Sequence, residues 1–393
     1  MNAIYAFTII FIVYAVGDSI ATKTKGIISM MLFAFVVFLI GFWTVLPDTF
    51  FEDSGFLLIS GALVGLLMVH IGTTINIVDF FKQWKTVIIA FLACAATAFG
   101  TVFIGQLFVE RGYALVAGPI SSGAIVATLI MQEAAEAIGR TDLVVFATIK
   151  LVSQNLIGIP IASLALKSEA KRLLANYSSN SELTEEANID SKTENKSRSL
   201  KFIPSIPDKY LSNNMIVAKL AIVMSLSTWI SNLTNGSLNS LVVCLILGIL
   251  FTEIGFLEKN SINKANGAVF VMAAAPIAAF QGLRNATPNM FLEQMTPLVI
   301  VTLVGVVCLV VVAVVVGKLL NVSWQMSIAL GVSCLFGFPS TLIVASEAAR
   351  SVTDNSEEIK YLEGKMQPSM IIAGVVSVSI SSVIFASIVA SWL

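Results

Sequence analysis

The sequence predicts an all-α polytopic membrane protein made of two inverted repeats, each with five transmembrane helices and one re-entrant hairpin. Composition is the first observation behind this fold class. Of 393 residues, 57% are hydrophobic and 12% are charged, whereas soluble domains carry about 25% charged residues. Apolar runs of about 20 residues, the length of a spanning helix, recur along both halves. The runs do not alternate in polarity as membrane β-strands do, so we expect helices that lie in a lipid bilayer.

Twelve apolar elements follow one another, six on each side of a hydrophilic segment. Those of the first half cover 2–16, 26–46, 55–77, 86–109, 113–131 and 143–166, and those of the second half cover 215–232, 237–255, 267–283, 296–317, 323–346 and 368–392. Residues 167–214 hold 8 basic and 7 acidic residues, which is typical of a solvated linker. The chain thus divides into a first repeat (1–166), a linker (167–214) and a second repeat (215–393). The first run lacks a basic leader and a cleavage site, and we expect it to remain as a span.

The two halves resemble each other at their fifth elements. A shift of 214 positions, without a gap, places Gly123 on Gly337 and Glu133 on Glu347, and each glutamate is followed by two alanines. The surrounding sequences are similar in kind, with Gly-Pro-Ile-Ser-Ser-Gly in the first half and Phe-Gly-Phe-Pro-Ser-Thr in the second. We interpret this likeness as an internal duplication.

The distribution of basic residues indicates how the repeats are oriented. With an external N-terminus and fifth elements that return to the side they entered from, 18 of the 23 Lys and Arg residues lie inside the cell. Arg111, Arg140 and Arg284 then lie outside, and Lys150 and Lys219 lie within spans. Full crossings by the fifth elements would remove this positive-inside bias. Each half therefore has five crossings, an odd number, which inverts the second repeat, places both termini outside and leaves the linker in the cytoplasm.

The fifth elements carry the candidate binding site. Glycine, serine and proline interrupt helices, and irregular backbone at membrane depth occurs where it lines a cavity. The candidates are Ser121, Ser122, Gly123 and Thr128 at one tip, and Gly337, Pro339, Ser340 and Thr341 at the other. Their hydroxyl and carbonyl oxygens suit a hard cation such as sodium. The alternative is helix packing through small residues, which membrane proteins use widely.

Polar residues in other apolar elements extend the list of candidates. Gln154 and Asn155 in the sixth element, and Gln367 and Ser369 at the start of the last, would flank the tips. The secondary candidates are Asn76, Glu133, Glu347, Lys150, Gln281 and Arg284. A charge at membrane depth is costly and indicates function. Alternatively, the two glutamates cap helices, Lys150 belongs to a structural ion pair, and Arg284 is an ordinary interfacial arginine.

Several other classes of function are disfavoured. The net charge of −1 argues against the basic face that nucleic-acid binding requires. The four cysteines lie apart in apolar runs and are interpreted as packing residues. His70 is the single histidine, so a Ser-His or HExxH enzyme is not expected. We therefore expect no enzymatic activity and no cofactor, with sodium as the possible coupling ion.

The sequence resembles the bacterial sodium/glutamate symporter family and, more distantly, the hydroxycarboxylate transporters. The likeness covers nearly the whole chain outside the linker and rests on the duplication, the two fifth elements and residues 71–76, 158–160 and 368–370. It implies a sodium-coupled, elevator-type secondary transporter of the bacterial inner membrane, often dimeric, for a small anionic solute such as an amino acid or organic acid. The family's hairpins usually carry Gly-Gly-x-Gly, whereas each tip here keeps one glycine. The resemblance therefore does not extend to glutamate as the substrate.

Three functions stay open at this point. They are a cation-coupled symporter, an exporter or uniporter of the same fold, and a membrane sensor or scaffold that transports nothing. Accumulation driven by an inward sodium gradient separates the first from the second. Substitution of Ser122, Gly337 or Thr341 separates the third, since a scaffold should tolerate these changes.

Overall fold

The computed structural model describes residues 1–24, 28–75, 82–180, 211–234, 240–337, 340–377 and 381–393, and every regular element in these ranges is a helix. The α-helices in chain order are α1 (Ala3–Lys23), α2 (Met30–Thr44), α3 (Phe50–Asp53), α4 (Phe56–Thr74), α5 (Trp84–Gly105), α6 (Arg111–Ala137), α7 (Thr141–Ser153), α8 (Asn155–Asn180), α9 (Asn213–Leu233), α10 (Ser240–Glu253), α11 (Ser261–Lys264), α12 (Ala268–Phe280), α13 (Pro288–Leu319), α14 (Trp324–Val332), α15 (Ser340–Arg350), α16 (Ser356–Val376) and α17 (Ser382–Ala390). Two 3₁₀ helices, Gln281–Asn285 and Ser333–Leu335, follow α12 and α14. The predicted all-helical class is confirmed.

Several of these helices are long and apolar enough to cross a membrane. Among the described residues they are α1, α4, α5, the α7–α8 segment from Thr141 to Ala175, α9 and α13. A helix satisfies its own backbone hydrogen bonds, which lipid cannot do, so apolar runs of this length fold as helices. Polar side chains cap the free N–H groups at their starts, as Ser29 does for α2 and Thr287 for α13. The length and apolar character of these helices indicate a membrane-embedded protein.

The helical segment α6 reverses its direction. A straight helix of its 27 residues would separate its ends by about 40 Å. Instead, Glu110, just before α6, lies 2.9 Å from Arg140, just after it. The Tyr113 hydroxyl in its first turn is also 3.4 Å from Asp142. The segment is therefore a helical hairpin, here called hairpin one, and its open end lies at the Arg140 end of the helix bundle.

Helices α14 and α15 are the two limbs of a second hairpin, here called hairpin two (residues 324–350). Its first limb begins where the Ser323 hydroxyl donates to Glu169 on α8, at 2.8 Å. The limb runs antiparallel to α8, because Leu335 faces Gly158, which lies eleven residues before Glu169. Gly337 then adopts a left-handed conformation, with φ of 62°, which glycine accepts without strain.

The second limb of hairpin two returns to the end from which the first came. Arg350, the last residue of α15, lies 3.7 Å from Glu363 on α16. Two residues earlier on α16, Tyr361 is close enough to Arg172 on α8 to interact with it electrostatically. Both limbs thus end beside the segment of α8 around residues 169–172, which defines the Glu169 end of the bundle.

The two hairpins enter the bundle from opposite ends. Helix α13 shows this, since the Gln294 side chain donates to the Asp142 carbonyl, at 2.9 Å, beside the open end of hairpin one. Gly317, on the same helix, packs against Ser327 near the start of hairpin two. These α13 residues are 23 positions apart, or about 35 Å along a helix. The tips of the hairpins therefore meet in the interior between the two ends.

Elements of the first half pack against elements of the second half. Helix α5 packs along α13, and these are the fourth elements of the halves. Hairpin one packs against α17, in the last element of the second half, and hairpin two packs against α8, in the last element of the first half. Each hairpin thus packs against the last element of the other half as well as against its own half.

Two boundaries differ from the sequence prediction. Helix α8 continues to Asn180, past position 167 where composition placed the start of the linker, because its buried Leu166 and Ala170 still pack inside the bundle. Residues 181–210 lie outside the described part. The last element begins at Ser356 rather than at 368, with the acidic residues Glu357 and Glu358 in its first turn, where they favour a helix start.

Candidate functional site

Hairpin one brings two predicted serines and a glycine to its buried tip. The hydroxyls of Ser121 and Ser122 donate to carbonyls of their own helix, at 2.9 Å and 2.7 Å, so both are already satisfied. Gly123 lies against the last element, where a Cβ would overlap Ser382 and lie 2.6 Å from the Ser377 carbonyl oxygen. The tip thus touches the point where α16 ends and α17 begins.

Two threonines of α5 face this tip without hydrogen-bond partners. Thr97 and Thr101 have no exposed surface, and among the described groups nothing pairs with their hydroxyls. A Cβ at Gly305 of α13 would lie 2.9 Å and 2.7 Å from these two oxygens and 3.9 Å from the Ser121 hydroxyl oxygen. Three hydroxyls therefore converge on one small residue where α5, α13 and hairpin one meet.

The tip of hairpin two contributes an unpaired hydroxyl of its own. The Thr341 N–H donates to the Gly337 carbonyl, at 3.1 Å, and so starts the second limb. The Thr341 hydroxyl is fully buried and finds no partner in the described ranges. Ser340, the first residue of α15, is half-buried, and Pro339 lies outside the described residues.

Gln154 joins α7 to α8 and is the most unusual polar residue of the interior. Its side chain has no exposed surface, and both its amide nitrogen and its amide oxygen are without partners in the part of the chain that the structure describes. Gly158, one turn further on, faces Leu335 at the end of the first limb of hairpin two. Native proteins leave few buried polar groups unpaired. The Gln154 amide is therefore available to a bound solute, ion or water molecule beside the tip of hairpin two.

Lys150 lies one turn before Gln154 and is also fully buried. Its ammonium nitrogen is 3.1 Å from the Thr302 hydroxyl on α13, one turn from Gly305. The Cys334 thiol, at the end of the first limb of hairpin two, is close enough to interact with it. Lys150 thus lies between the two hairpins, as a residue facing the interior rather than lipid.

The remaining predicted residues are more peripheral. Thr128 is buried in the second limb of hairpin one. Asn155 turns away from the tips toward Ser29, at 3.5 Å. The Gln367 amide donates to Ser346 of hairpin two, at 2.8 Å, so it braces the second limb, while the Ser369 hydroxyl donates to Gln83, at 3.1 Å. These placements do not bring Asn155, Gln367 or Ser369 to the tips as the sequence suggested.

The predicted charged residues lie away from the tips, apart from Lys150. Glu133 is exposed, and Glu347 is half-buried on the second limb of hairpin two. Arg284 pairs with Glu52, at 2.7 Å, and Gln281 begins the same short 3₁₀ helix. The ion pair with Glu52 is consistent with the alternative interpretation of Arg284 as an ordinary interfacial arginine. Asn76 lies outside the described residues.

The open end of hairpin one carries a compact charge cluster. Arg140 pairs with Glu110, at 2.9 Å, and with Asp142, at 2.7 Å. Hydrogen bonds with Asp142 and then Glu110 raise the pKa of the Arg140 guanidinium above its usual range. A cavity of about 310 Å³ lies beside this cluster and is also lined by Trp392. The cluster ties the two limbs together at their outer end.

Sequence reasoning missed Thr97, Thr101 and Thr302. A threonine hydroxyl in a helix ordinarily bonds the carbonyl four residues earlier, so threonines in apolar runs carry no signal of their own. The spacing of Thr97 and Thr101, one turn apart on one face, is the only hint that the sequence offers.

The polar groups brought together here are oxygen and nitrogen donors or acceptors. The described residues include no group of three or more His, Cys, Asp or Glu side chains that could hold a metal ion. The hydroxyls suit a hard cation or a polar solute, and Lys150 and Gln154 can donate hydrogen bonds.

Comparison with models of known protein families gives no match, and comparison with curated proteins gives none either. The class of the protein therefore follows from its own fold. Its described residues form a helical, membrane-embedded protein with two opposed helical hairpins, which enclose buried polar side chains that find no partner among those residues.

Proposed function

We propose that the protein is a secondary active transporter that binds a small solute and a coupling cation between the tips of its two hairpins. The observation that carries the proposal is the set of buried polar side chains without partners near the tips. Among the described residues they are Thr97, Thr101, Gln154, Thr341 and Ser381. Burying such groups without hydrogen bonds is costly, and a bound solute or ion would satisfy them. Transporters place their sites at interrupted helices near the bilayer midplane in this way.

The proposal includes a membrane topology. Six long helices cross, and α2, α10, α12 and the α16–α17 pair complete ten crossings, while each hairpin enters from one side and returns to it. Both termini are outside and the linker is cytoplasmic, as the positive-inside bias favours. Membership of the sodium/glutamate symporter family, an elevator motion, a homodimer and the bacterial inner membrane belong to the same proposal and rest on the resemblance of the sequence.

The topology predicts that the two hairpins open to opposite sides of the membrane. With the native cysteines replaced by alanine, Arg140→Cys should react with a membrane-impermeant maleimide added to intact cells. Arg350→Cys should react only after the membrane is permeabilised. Because the hairpins open at opposite ends of the bundle, labelling of both positions from the same side would contradict the inverted arrangement.

Transport itself is tested with the full chain in proteoliposomes. We expect an inward sodium gradient to drive uptake of at least one member of a panel of radiolabelled amino and organic acids. Efflux of the solute, or equilibration of the solute that does not depend on the sodium gradient, would instead favour an exporter or uniporter. Absence of any flux from protein that remains folded would contradict the proposal and favour a sensor or scaffold.

One substitution links this flux to the tip of hairpin two. Thr341→Val keeps the shape of the side chain but removes the unpaired hydroxyl, so uptake should fall by about tenfold, as expected for one lost ligand hydrogen bond, while the melting temperature is kept or rises. Thr228→Val is the matched control, because the Thr228 hydroxyl is exposed on α9 and bonds the Met224 carbonyl of its own helix. Equal uptake by the two variants would remove Thr341 from the site.

A further inference from the structure

Lys150 carries a buried charge with too few partners. An ammonium group has three N–H donors, and among the described residues Lys150 donates to the Thr302 hydroxyl alone, at 3.1 Å. That hydroxyl donates its own proton to the Leu298 carbonyl, at 2.6 Å. Thr302 can therefore serve as an acceptor for Lys150 but offers no negative charge. In the described part of the chain, the other two ammonium donors have no acceptor.

The carboxylates of the neighbouring elements do not neutralise Lys150. Among the described residues, none comes within 4.0 Å of its ammonium nitrogen. Asp142, on the same helix, pairs with Arg140, and Glu169 on α8 pairs with Arg172. Glu133, on hairpin one, is exposed. A buried ammonium without a counter-charge is much more costly than a missing hydrogen bond, and a bound anion would offset that cost.

Gln154 provides the second, independent observation. Lys150 and Gln154 are four residues apart, and the Gln154 N–H donates to the Lys150 carbonyl, at 3.3 Å, so the helical turn between them is intact. Side chains at this spacing share a face. Cys334 adjoins Lys150, and Leu335 faces Gly158 one turn beyond Gln154. The shared face therefore looks toward the tip of hairpin two, with a charge and an unpaired amide side by side.

We infer that Lys150 and Gln154 form the subsite that recognises a negatively charged group of the transported solute. The inference rests on the proposed transport function. A solute that carries a carboxylate is what the resemblance already implies, and the new step is to assign recognition of that carboxylate to Lys150 and Gln154. Lys150 supplies the counter-charge, and the Gln154 amide nitrogen donates a hydrogen bond to the same group. An uncharged amide isostere leaves the ammonium unpaired and is rejected. The positive charge also disfavours a sodium ion at this position, so a coupling cation binds away from the Lys150 ammonium.

The test compares carboxylates with their amides by thermal-shift titration of the purified full chain. The probes are sodium lactate and succinate against lactamide and succinamide, which carry no carboxylate, at equal sodium. We expect at least one carboxylate to stabilise the wild-type protein and its amide not to. Lys150→Met should weaken the binding of that carboxylate by about 10- to 100-fold, the effect of losing a charged hydrogen bond. Lys318→Met, at an exposed lysine at the end of α13, should leave the affinity unchanged.

A second readout separates this role from a structural one. Because Lys150→Met removes an uncompensated buried charge, the ligand-free variant should melt at a higher temperature than the wild type. A lower melting temperature with unchanged carboxylate affinity would overturn the inference. If Lys150→Met does not fold, the Gln154→Leu variant tests the subsite instead. It should weaken carboxylate binding and keep the fold.

The inference and the proposed function can fail separately. If no carboxylate stabilises the wild type, or if amides bind equally well, the subsite is wrong, while gradient-driven uptake of a neutral solute would still support a transporter. Carboxylate binding that Lys150→Met abolishes supports the subsite even where the direction of transport turns out to be export.

Discussion

Replacing Glu258 by glutamine is expected to lower the free energy of unfolding by about 3–5 kcal/mol, the typical cost of leaving one partner of a buried ion pair alone. Glu258 lies in the connection after α10 and accepts a hydrogen bond from Lys219 on α9, at 2.6 Å. The two side chains are only 13% and 10% exposed. The Lys219 ammonium also lies 5.6 Å from the centre of the Phe256 ring. Without the Glu258 carboxylate, the Lys219 ammonium would be buried without a counter-charge.

Denaturant titration of the detergent-solubilised protein measures this effect. Removing both charges, with Lys219→Met and Glu258→Gln together, should cost less than Glu258→Gln alone, because no unpaired charge remains. The matched control is Glu363→Gln, whose partner Arg350 is 65% exposed at 3.7 Å, and it should change the free energy by less than about 1 kcal/mol. Equal effects at the two sites would show that burial does not set the strength of the Lys219–Glu258 pair.

The pairing of Lys219 with Glu258 also shows where sequence reasoning stops. The two residues are 39 positions apart, and nothing in their local sequence links them. Whether a charge is paired depends on how separate helices pack, which composition does not encode. The same holds for Thr97 and Thr101. Their hydroxyls are brought together only where α13 and hairpin one pack against α5, which the local sequence does not show.

The helices themselves were predictable because lipid removes the competing structures. A chain that must satisfy every backbone group internally has no choice but a helix over each apolar run, and the runs ending near 46 and 317 fall close to the observed ends of α2 and α13. The reversal of direction in the fifth elements was expected from the count of basic residues, since treating these elements as full crossings would have removed the positive-inside bias. The polar residues Gln367 and Ser369 suggested that the last element starts at Pro368, but Pro368 lies inside α16 and does not interrupt it. The tip of hairpin one instead meets Ser377 and Ser382 further along the chain.

The closest packing in the proposed site is at Gly123, and we expect Gly123→Ala to reduce both stability and uptake. The added methyl group would overlap Ser382 and lie 2.6 Å from the Ser377 carbonyl oxygen and 2.7 Å from the Ser382 hydroxyl. Backbone cannot give way cheaply, so the tip must shift away from the last element. Overpacking of this kind costs about 1–3 kcal/mol. Because the tip lines the proposed site, uptake should fall to about a tenth or less, since 1.4 kcal/mol already corresponds to a factor of ten.

Two further variants show whether the loss comes from this contact. Gly364→Ala on α16 adds the same methyl group where nothing lies within 4 Å, and alanine is the better helix former, so stability should be kept or rise slightly. Ser382→Gly in the Gly123→Ala background removes the overlapping atoms and should restore part of the uptake, leaving only the contact with the Ser377 carbonyl. Wild-type uptake and melting temperature in Gly123→Ala would mean that the tip of hairpin one is not held against the last element. The packing of each hairpin against the last element of the opposite half, on which the proposed site depends, would then lose its support on that side.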